Sequence, residues 1–190
     1  MSTERVFCRV WNALSFASVT LADDTGAVMM LQTTTGAGMT AQTLILPAPQ
    51  QFGFSSVPPN GSDSVGHFIA GDVANGVVTA TNHQPTRPRN KNPGESQQYD
   101  AFGKSIYLTQ NGGIIVNANG TTVTVNNATT VTINASAGIV MNTPTLTVNG
   151  AIAATGDITA GSGAASSSLL KHEHTAPADG GTTSAPIAGT

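Results

Sequence analysis

The fold of this chain is decided by residues 106–148, IYLTQNGGIIVNANGTTVTVNNATTVTINASAGIVMNTPTLTV. This segment contains no charged residue and, after Tyr107, no aromatic residue. Aliphatic residues instead recur in pairs two positions apart, and successive pairs begin seven to nine residues apart. The pairs are Ile106/Leu108, Ile114/Val116, Val123/Val125, Val131/Ile133, Ile139/Met141 and Leu146/Val148. Such regular spacing is an internal repeat, and it constrains the architecture before any site is considered.

The repeat predicts short strands that cannot close a core within one chain. In a strand, residues i and i+2 point to one side, so each pair presents two aliphatic side chains inward with a small residue between them facing outward. The Asn and Gly residues between pairs tolerate turn geometry. Three copies wound about a common axis would bury the pairs and remove exposed sheet edges, which predicts a trimeric β-helical prism. A single-chain β-solenoid is the alternative, but this stretch supplies only two or three turns of roughly 20 residues each.

Composition excludes several function classes. Only 9% of the 190 residues are charged, against about 25% in ordinary soluble domains. The net charge is −3, and no Lys or Arg lies between Arg9 and Arg87, so nucleic-acid binding is disfavoured. The single cysteine, Cys8, matches no zinc or redox motif and is interpreted as a half-buried thiol. No apolar run reaches the roughly 18 residues of a membrane span. No signal peptide is recognised, which predicts that the protein is made in a cytoplasm and reaches its place of work by assembly.

The chain divides into five predicted regions. Residues 1–16 form an N-terminal arm, where Val6, Val10, Trp11 and Leu14 lie at roughly helical spacing. Residues 17–82 form an OB-fold-like barrel, residues 83–104 a linker rich in proline and positive charge, residues 105–160 the triple-stranded β-helix shaft, and residues 161–190 the tip. Side chains become small over residues 150–168, so the shaft is expected to taper. The fold class is therefore all-β, with a barrel followed by an intertwined trimeric β-helix.

The barrel prediction rests on five short strand patterns separated by turn residues. The predicted strands are Ala17–Leu21, Ala27–Gln32, Thr43–Leu46, Val65–Ile69 and Val77–Thr81. Within this region, Gln51–Gly61 carries two phenylalanines and a double proline, and it is interpreted as a rigid loop. Because an oligonucleotide-binding barrel needs basic residues beside its stacking aromatics, a protein-docking role is preferred.

The only group of residues in the sequence that suggests a metal-binding or reactive site is His172-Glu173-His174. The two histidines are two residues apart, so both imidazoles face one way on an extended chain. Threefold symmetry would bring six imidazole nitrogens to one axis, which suits iron or nickel better than tetrahedral zinc. Iron is preferred on availability, with one structural ion per trimer. His67 and His83 lack such neighbours and are interpreted as structural. No catalytic residue is predicted.

These features together resemble the central spike of contractile-tailed bacteriophages, the Mu-like and P2-like baseplate spike (baseplate assembly protein V) family. The shared features, in order, are Gln51–Val57 in a small barrel, the Asp100–Ile106 lead-in, the charge-poor repeat, Gly156–Ala160 and His172-Glu173-His174. The resemblance implies a homotrimer docked to a phage baseplate hub protein in the virion. It also implies a tip that holds one iron ion through His172 and His174 of three chains. Its implied role is to pierce the host outer membrane, transiently, when the sheath contracts.

Other functions remain as alternatives. The spike of a phage-tail-like bacteriocin or injection machine would pierce a membrane mechanically in the same way, with a different payload. A tailspike depolymerase would need paired carboxylates, and the repeat contains no Asp or Glu. A tail-fibre adhesin would need an aromatic-rich recognition surface, which is missing from the sequence after Tyr107. No small-molecule substrate is expected. Family members often end soon after the His pair, whereas residues 175–190 follow it here, and we expect these residues to fold back over the tip.

Overall fold

The computed structural model describes residues 13–35, 41–161 and 166–172. Across these residues the protein is all-β, as the sequence predicts. The chain divides into two units, residues 1–128 and 129–190. Residues 1–12 of the predicted arm, which include Cys8 and Trp11, lie outside the described residues, as do Glu173, His174 and the tail 175–190.

The first unit begins with a five-stranded antiparallel sheet. Its strands are β1 Leu14–Asp23, β2 Met30–Thr35, β3 Gln42–Pro47, β4 Asp63–Phe68 and β5 Gly76–Asn82. They lie side by side in the order β3-β2-β1-β4-β5. All five predicted strands are present, although β2 begins three residues later than the pattern indicates. β1 begins at Leu14 and so spans the predicted boundary between residues 16 and 17.

Each strand of this sheet contributes one residue to a common apolar core. These residues are Val19, Leu31, Leu46, Phe68 and Val78, and all are buried. Two buried serines donate to backbone carbonyls: the hydroxyl of Ser62 to Pro59 O at 2.6 Å, and that of Ser64 to Ala17 O at 3.1 Å. Among the described residues, no buried side-chain nitrogen or oxygen lacks a hydrogen-bond partner. Period-2 alternation therefore directs one side of the sheet into the core.

The sheet is curved, so that its two outer strands approach the same core residue. A Cβ at Gly76 of β5 would lie 2.5 Å from Cδ1 of Phe68 and 3.2 Å from Cδ2 of Leu46 on β3. Register shifts in β1, between Val19 and Leu21, and in β4, between Val65 and Gly66, mark irregularities of the bulge type. Bulges increase strand twist and bend a sheet. Glycine at position 76 allows the close approach that this curvature requires.

A second sheet follows in the first unit, with the order β6-β7-β8. Its strands are β6 Ser96–Tyr99, β7 Ser105–Leu108 and β8 Ile114–Asn117. The predicted linker, residues 83–104, thus contains a strand that pairs with the first strand of the repeat. Its proline-rich part precedes β6, and the turn Asp100–Lys104 joins β6 to β7. A salt bridge between Lys104 and Asp100, at 2.7 Å, braces this turn.

Beyond β8 the repeat has no strand partner among the described residues of its own chain. Residues 118–158, all of which the structure describes, form no strand within a single chain. Asn119 and Asn127 have φ values of 48° and 57°, in the left-handed region, so these predicted turn positions are confirmed. In the second unit, β9 Thr159–Ala160 pairs with β10 Ser167–Ser168 in a two-stranded antiparallel sheet, which we call the terminal sheet.

Candidate assembly surface and metal-binding segment

The first two aliphatic pairs of the repeat lie on one face of the β6-β7-β8 sheet. Ile106 is opposite Val116, and Leu108 is opposite Ile114. Residues directly opposite each other on paired strands point to the same face. The four side chains therefore form one apolar patch, as the spacing of the repeat predicts. All four are exposed in a single chain.

The remaining pairs of the repeat are equally exposed. Val123 retains 66% of its accessible surface and Val131 retains 65%. The other exposed members are Val125, Ile133, Ile139, Met141, Leu146 and Val148. Exposed aliphatic side chains that recur along a segment in this way are typical of an interaction surface. We call the twelve paired aliphatic residues of the repeat the assembly surface.

A carboxylate fixes the start of the repeat to the segment before it. Glu95 accepts hydrogen bonds from the hydroxyl of Tyr107 at 2.6 Å, from the backbone N–H of Gln110 at 3.0 Å and from that of Asn92 at 2.9 Å. The bond from the backbone N–H of Gln110, followed by that from the Tyr107 hydroxyl, lowers the pKa of Glu95 to about 2. The same carboxylate raises the pKa of Tyr107. The Nζ of Lys91 lies 5.5 Å from the centre of the Tyr107 ring.

Replacing Glu95 is expected to change how stability depends on acid. The folded pKa of about 2 lies below the usual 4.5, so the carboxylate stabilises the fold fully above about pH 4.5 and loses this effect as pH falls towards 2. Glu95→Gln should therefore flatten this part of the curve of melting temperature against pH. Asp24→Asn serves as the control. Equal flattening in both variants would contradict the assignment to Glu95.

An exposed aromatic loop in the first unit is held by one glutamine. The side-chain amide of Gln50 bonds the backbone of Ser56 in both directions: its Nε2 donates to the Ser56 carbonyl at 2.5 Å, and its Oε1 accepts from the Ser56 N–H at 2.7 Å. Between them, Phe52 is fully exposed and Phe54 is largely exposed. Gly53 supplies the left-handed backbone between the two rings, with φ of 88°. These contacts agree with the predicted rigid loop.

In the second unit, Asp157 organises the segment that leads to His172. Its carboxylate accepts a hydrogen bond from the hydroxyl of Ser168 and another from the backbone N–H of Leu170 at 3.1 Å. The Ser168 hydroxyl also accepts from the Lys171 N–H at 2.9 Å. The bond from Ser168 and, after it, the bond from Leu170 lower the pKa of Asp157. One carboxylate thus bonds two residues of the turn immediately before His172.

His172 is itself oriented by backbone contacts. Its N–H donates to Ser168 O at 3.0 Å, and its Nδ1 lies 3.1 Å from Leu169 O. A carbonyl next to Nδ1 selects the tautomer with the proton on Nδ1, which places the lone pair on Nε2. Metal-binding histidines commonly donate their second ring nitrogen to a carbonyl in this way. The observed environment of His172 therefore fits the role of metal ligand that the sequence predicts for it.

The other histidines lie in different surroundings. His67 is an exposed residue of β4, and the Nδ1 of His83 lies 2.8 Å from the hydroxyl of Thr86. The His83 contact agrees with the predicted structural role. Within the described ranges, no cluster of three or more His, Cys, Asp or Glu side chains forms a site in one chain. In the same part of the protein, no helix is long and apolar enough to cross a membrane.

Sequence reasoning did not identify Glu95 or Asp157 as key residues. Their partners lie 12 and 15 residues away for Glu95, and 11 and 13 residues away for Asp157. No local spacing rule joins residues at these separations. The available signal is indirect: Asp157 is the only acidic residue between Asp100 and Glu173. An isolated charge in a charge-poor segment indicates a specific partner.

Comparison with known proteins gives the class first: a family match over part of the chain suggests a phage baseplate protein, and thus a component of the virion tail. Residues 17–85 match the family model described as Bacteriophage Mu Gp45, N-terminal. The match confirms the resemblance to the Mu-like baseplate spike family that was drawn from the sequence. The match covers nearly all of the five-stranded sheet and ends before β6. No curated protein matches the chain.

Proposed function

We propose that the protein is the membrane-piercing central spike of a contractile phage tail, acting mechanically as a homotrimer. The observation that carries this proposal is the assembly surface, a row of aliphatic pairs with no cover in its own chain. The family of residues 17–85 supports a position in the baseplate. The finer elements of the proposal are an OB-fold collar, a triple-stranded shaft and a metal-closed tip.

The connectivity of the first sheet supports an OB-fold-like collar for residues 17–82. A five-stranded OB barrel is a Greek-key barrel in which the sheet curls until its outer strands meet. Here β1 is central, flanked by β2 and β4, and the outer strands β3 and β5 share the core around Phe68. The clamped loop with Phe52 and Phe54 is suited to protein docking because its rings are displayed on a fixed backbone. We propose that this collar docks to the baseplate hub protein.

The repeat supports a shaft over residues 105–160. Residues 118–158 have no strand partner in one chain, so their backbone groups need strand partners and their exposed aliphatic pairs need apolar contacts. Two further copies would supply them together, because three narrow apolar faces close around one axis. Burying a typical aliphatic side chain contributes about 1.5–3 kcal/mol. Repeated along twelve residues per chain, this contribution can drive assembly.

The metal proposal rests on His172 and His174. These residues of three chains would hold one iron ion, which would cross-link the chains where the side chains are too small to provide an apolar core. The carbonyl contact at Nδ1 of His172 supports this role. With every ligand position supplied by protein, the ion would be structural. Force delivered along a narrow, rigid needle needs no catalytic residue, so we infer that the protein is not an enzyme.

Solution mass combined with metal analysis tests this function. The purified protein is expected to have the mass of three chains and to contain about one iron ion per three chains. A chelator should remove the iron without dissociating the trimer. A monomer would contradict the proposed shaft, and a metal-free, fully ordered trimer would contradict the proposed tip. Glycan cleavage by the trimer would support a tailspike depolymerase instead.

A further inference from the structure

The contacts of the terminal sheet assign a positioning role to residues other than the histidines. We propose that Asp157 and Ser168 orient His172 for metal binding and thereby set how tightly the ion is held. This inference rests on the proposed metal-binding function of His172 and His174. It extends that function, because Asp157 precedes His172 by fifteen residues and is outside the His-x-His motif.

Asp157 first contacts the backbone segment that precedes His172. The carboxylate of Asp157 accepts hydrogen bonds from both the Ser168 hydroxyl and the Leu170 N–H. Ser168 then accepts from the Lys171 N–H through its hydroxyl, and from the His172 N–H through its carbonyl. The turn from Ser168 to His172 is therefore fixed by four hydrogen bonds that converge on two residues.

The second step runs to the imidazole ring. The N–H of Leu169 donates to the carbonyl of Ile158 at 2.9 Å. Ile158 directly follows Asp157, so this bond holds Leu169 close to the aspartate in the fold. The carbonyl of Leu169 lies 3.1 Å from Nδ1 of His172. The same short segment, Asp157-Ile158, thus anchors both the turn and the carbonyl that selects the tautomer. Partners of this kind orient a ligand before the metal arrives and so reduce the cost of binding.

Serine at position 168 offers a matched set of variants for the test. Ser168→Ala removes the hydroxyl, whereas Ser168→Thr keeps it on a side chain that suits a strand. Asp157→Asn replaces one of the two accepting carboxylate oxygens with an NH2 group, which cannot accept a hydrogen bond. Ser167→Ala is the control, because neighbouring residues of a strand point to opposite faces.

The experiment uses full-length trimer loaded with ⁵⁷Fe(II) and measures the loss of iron to a chelator. Ser168→Ala and Asp157→Asn should weaken iron binding by about 10- to 100-fold, the usual effect of removing such a partner. Ser168→Thr and Ser167→Ala should remain close to wild type. Mössbauer spectra should show one narrow iron species in the wild type and a broadened signal in Ser168→Ala. Solution mass and melting temperature are measured on the same samples.

The outcomes separate this inference from the function on which it rests. An iron-free wild type would overturn the metal-closed tip itself. An iron-loaded wild type whose affinity is unchanged in Ser168→Ala would overturn only the positioning role. Equal iron loss in Ser167→Ala, or collapse of the trimer in both Ser168→Ala and Asp157→Asn, would also overturn it, because the residues would then act on folding generally.

Discussion

Val123→Asp is expected to abolish trimer formation. In the proposed shaft, the substitution brings three carboxylates together on a dry axis, where removing each charge from water costs on the order of several kcal/mol. Each chain also loses an aliphatic contact of about 1.5–3 kcal/mol. Val123 is 66% exposed in a single chain, so the substitution meets no clash in the monomer. Sedimentation equilibrium should show trimers for the wild type and monomers for the variant.

Thr124→Asp is the matched control for this experiment. It introduces the same charge one residue later, on the outward side of the alternating segment. This variant should remain trimeric, with a melting temperature within a few degrees of the wild type. If Val123→Asp also remained trimeric, the paired aliphatics could not form the trimer axis. If both variants were monomeric, charge in the repeat would matter more than the direction of the side chain.

The second large effect is expected from replacing both tip histidines. His172→Ala combined with His174→Ala should reduce iron from about one ion per trimer to none, because no other ligand pair with this spacing follows the repeat. The shaft should still assemble, since its aliphatic pairs are unchanged. Elemental analysis and solution mass measure the two properties on one sample. The variant should also lose the additional thermal stability that iron provides to the wild type.

His67→Ala is the control for the histidine variant. His67 is an exposed residue of β4, so its removal should leave the iron content unchanged. Failure of the double variant to trimerise would show that the tip, and not the aliphatic axis, drives assembly. Retention of iron would show that other residues bind it. The two failures contradict different parts of the proposal.

Local patterns in the sequence predicted much of this protein. Alternation located the five strands of the first sheet within a few residues, because a half-buried strand must alternate apolar and polar side chains. The aliphatic pairs predicted the shared face of β7 and β8, which their register confirms. Asn119 and Asn127 were predicted as turn residues for the same local reason, since asparagine tolerates positive φ. The family, too, was recognised from residues in sequence order.

Only the tertiary structure decided which segments lie beside one another. The order β3-β2-β1-β4-β5, the pairing of β6 with β7, and the contacts of Glu95 and Asp157 join segments that no local sequence pattern links. A period of two determines which way a side chain points, but it carries no information about the neighbouring strand. That choice depends on hydrogen bonds and packing formed when the chain folds, and it placed Asp157 in contact with the turn before His172.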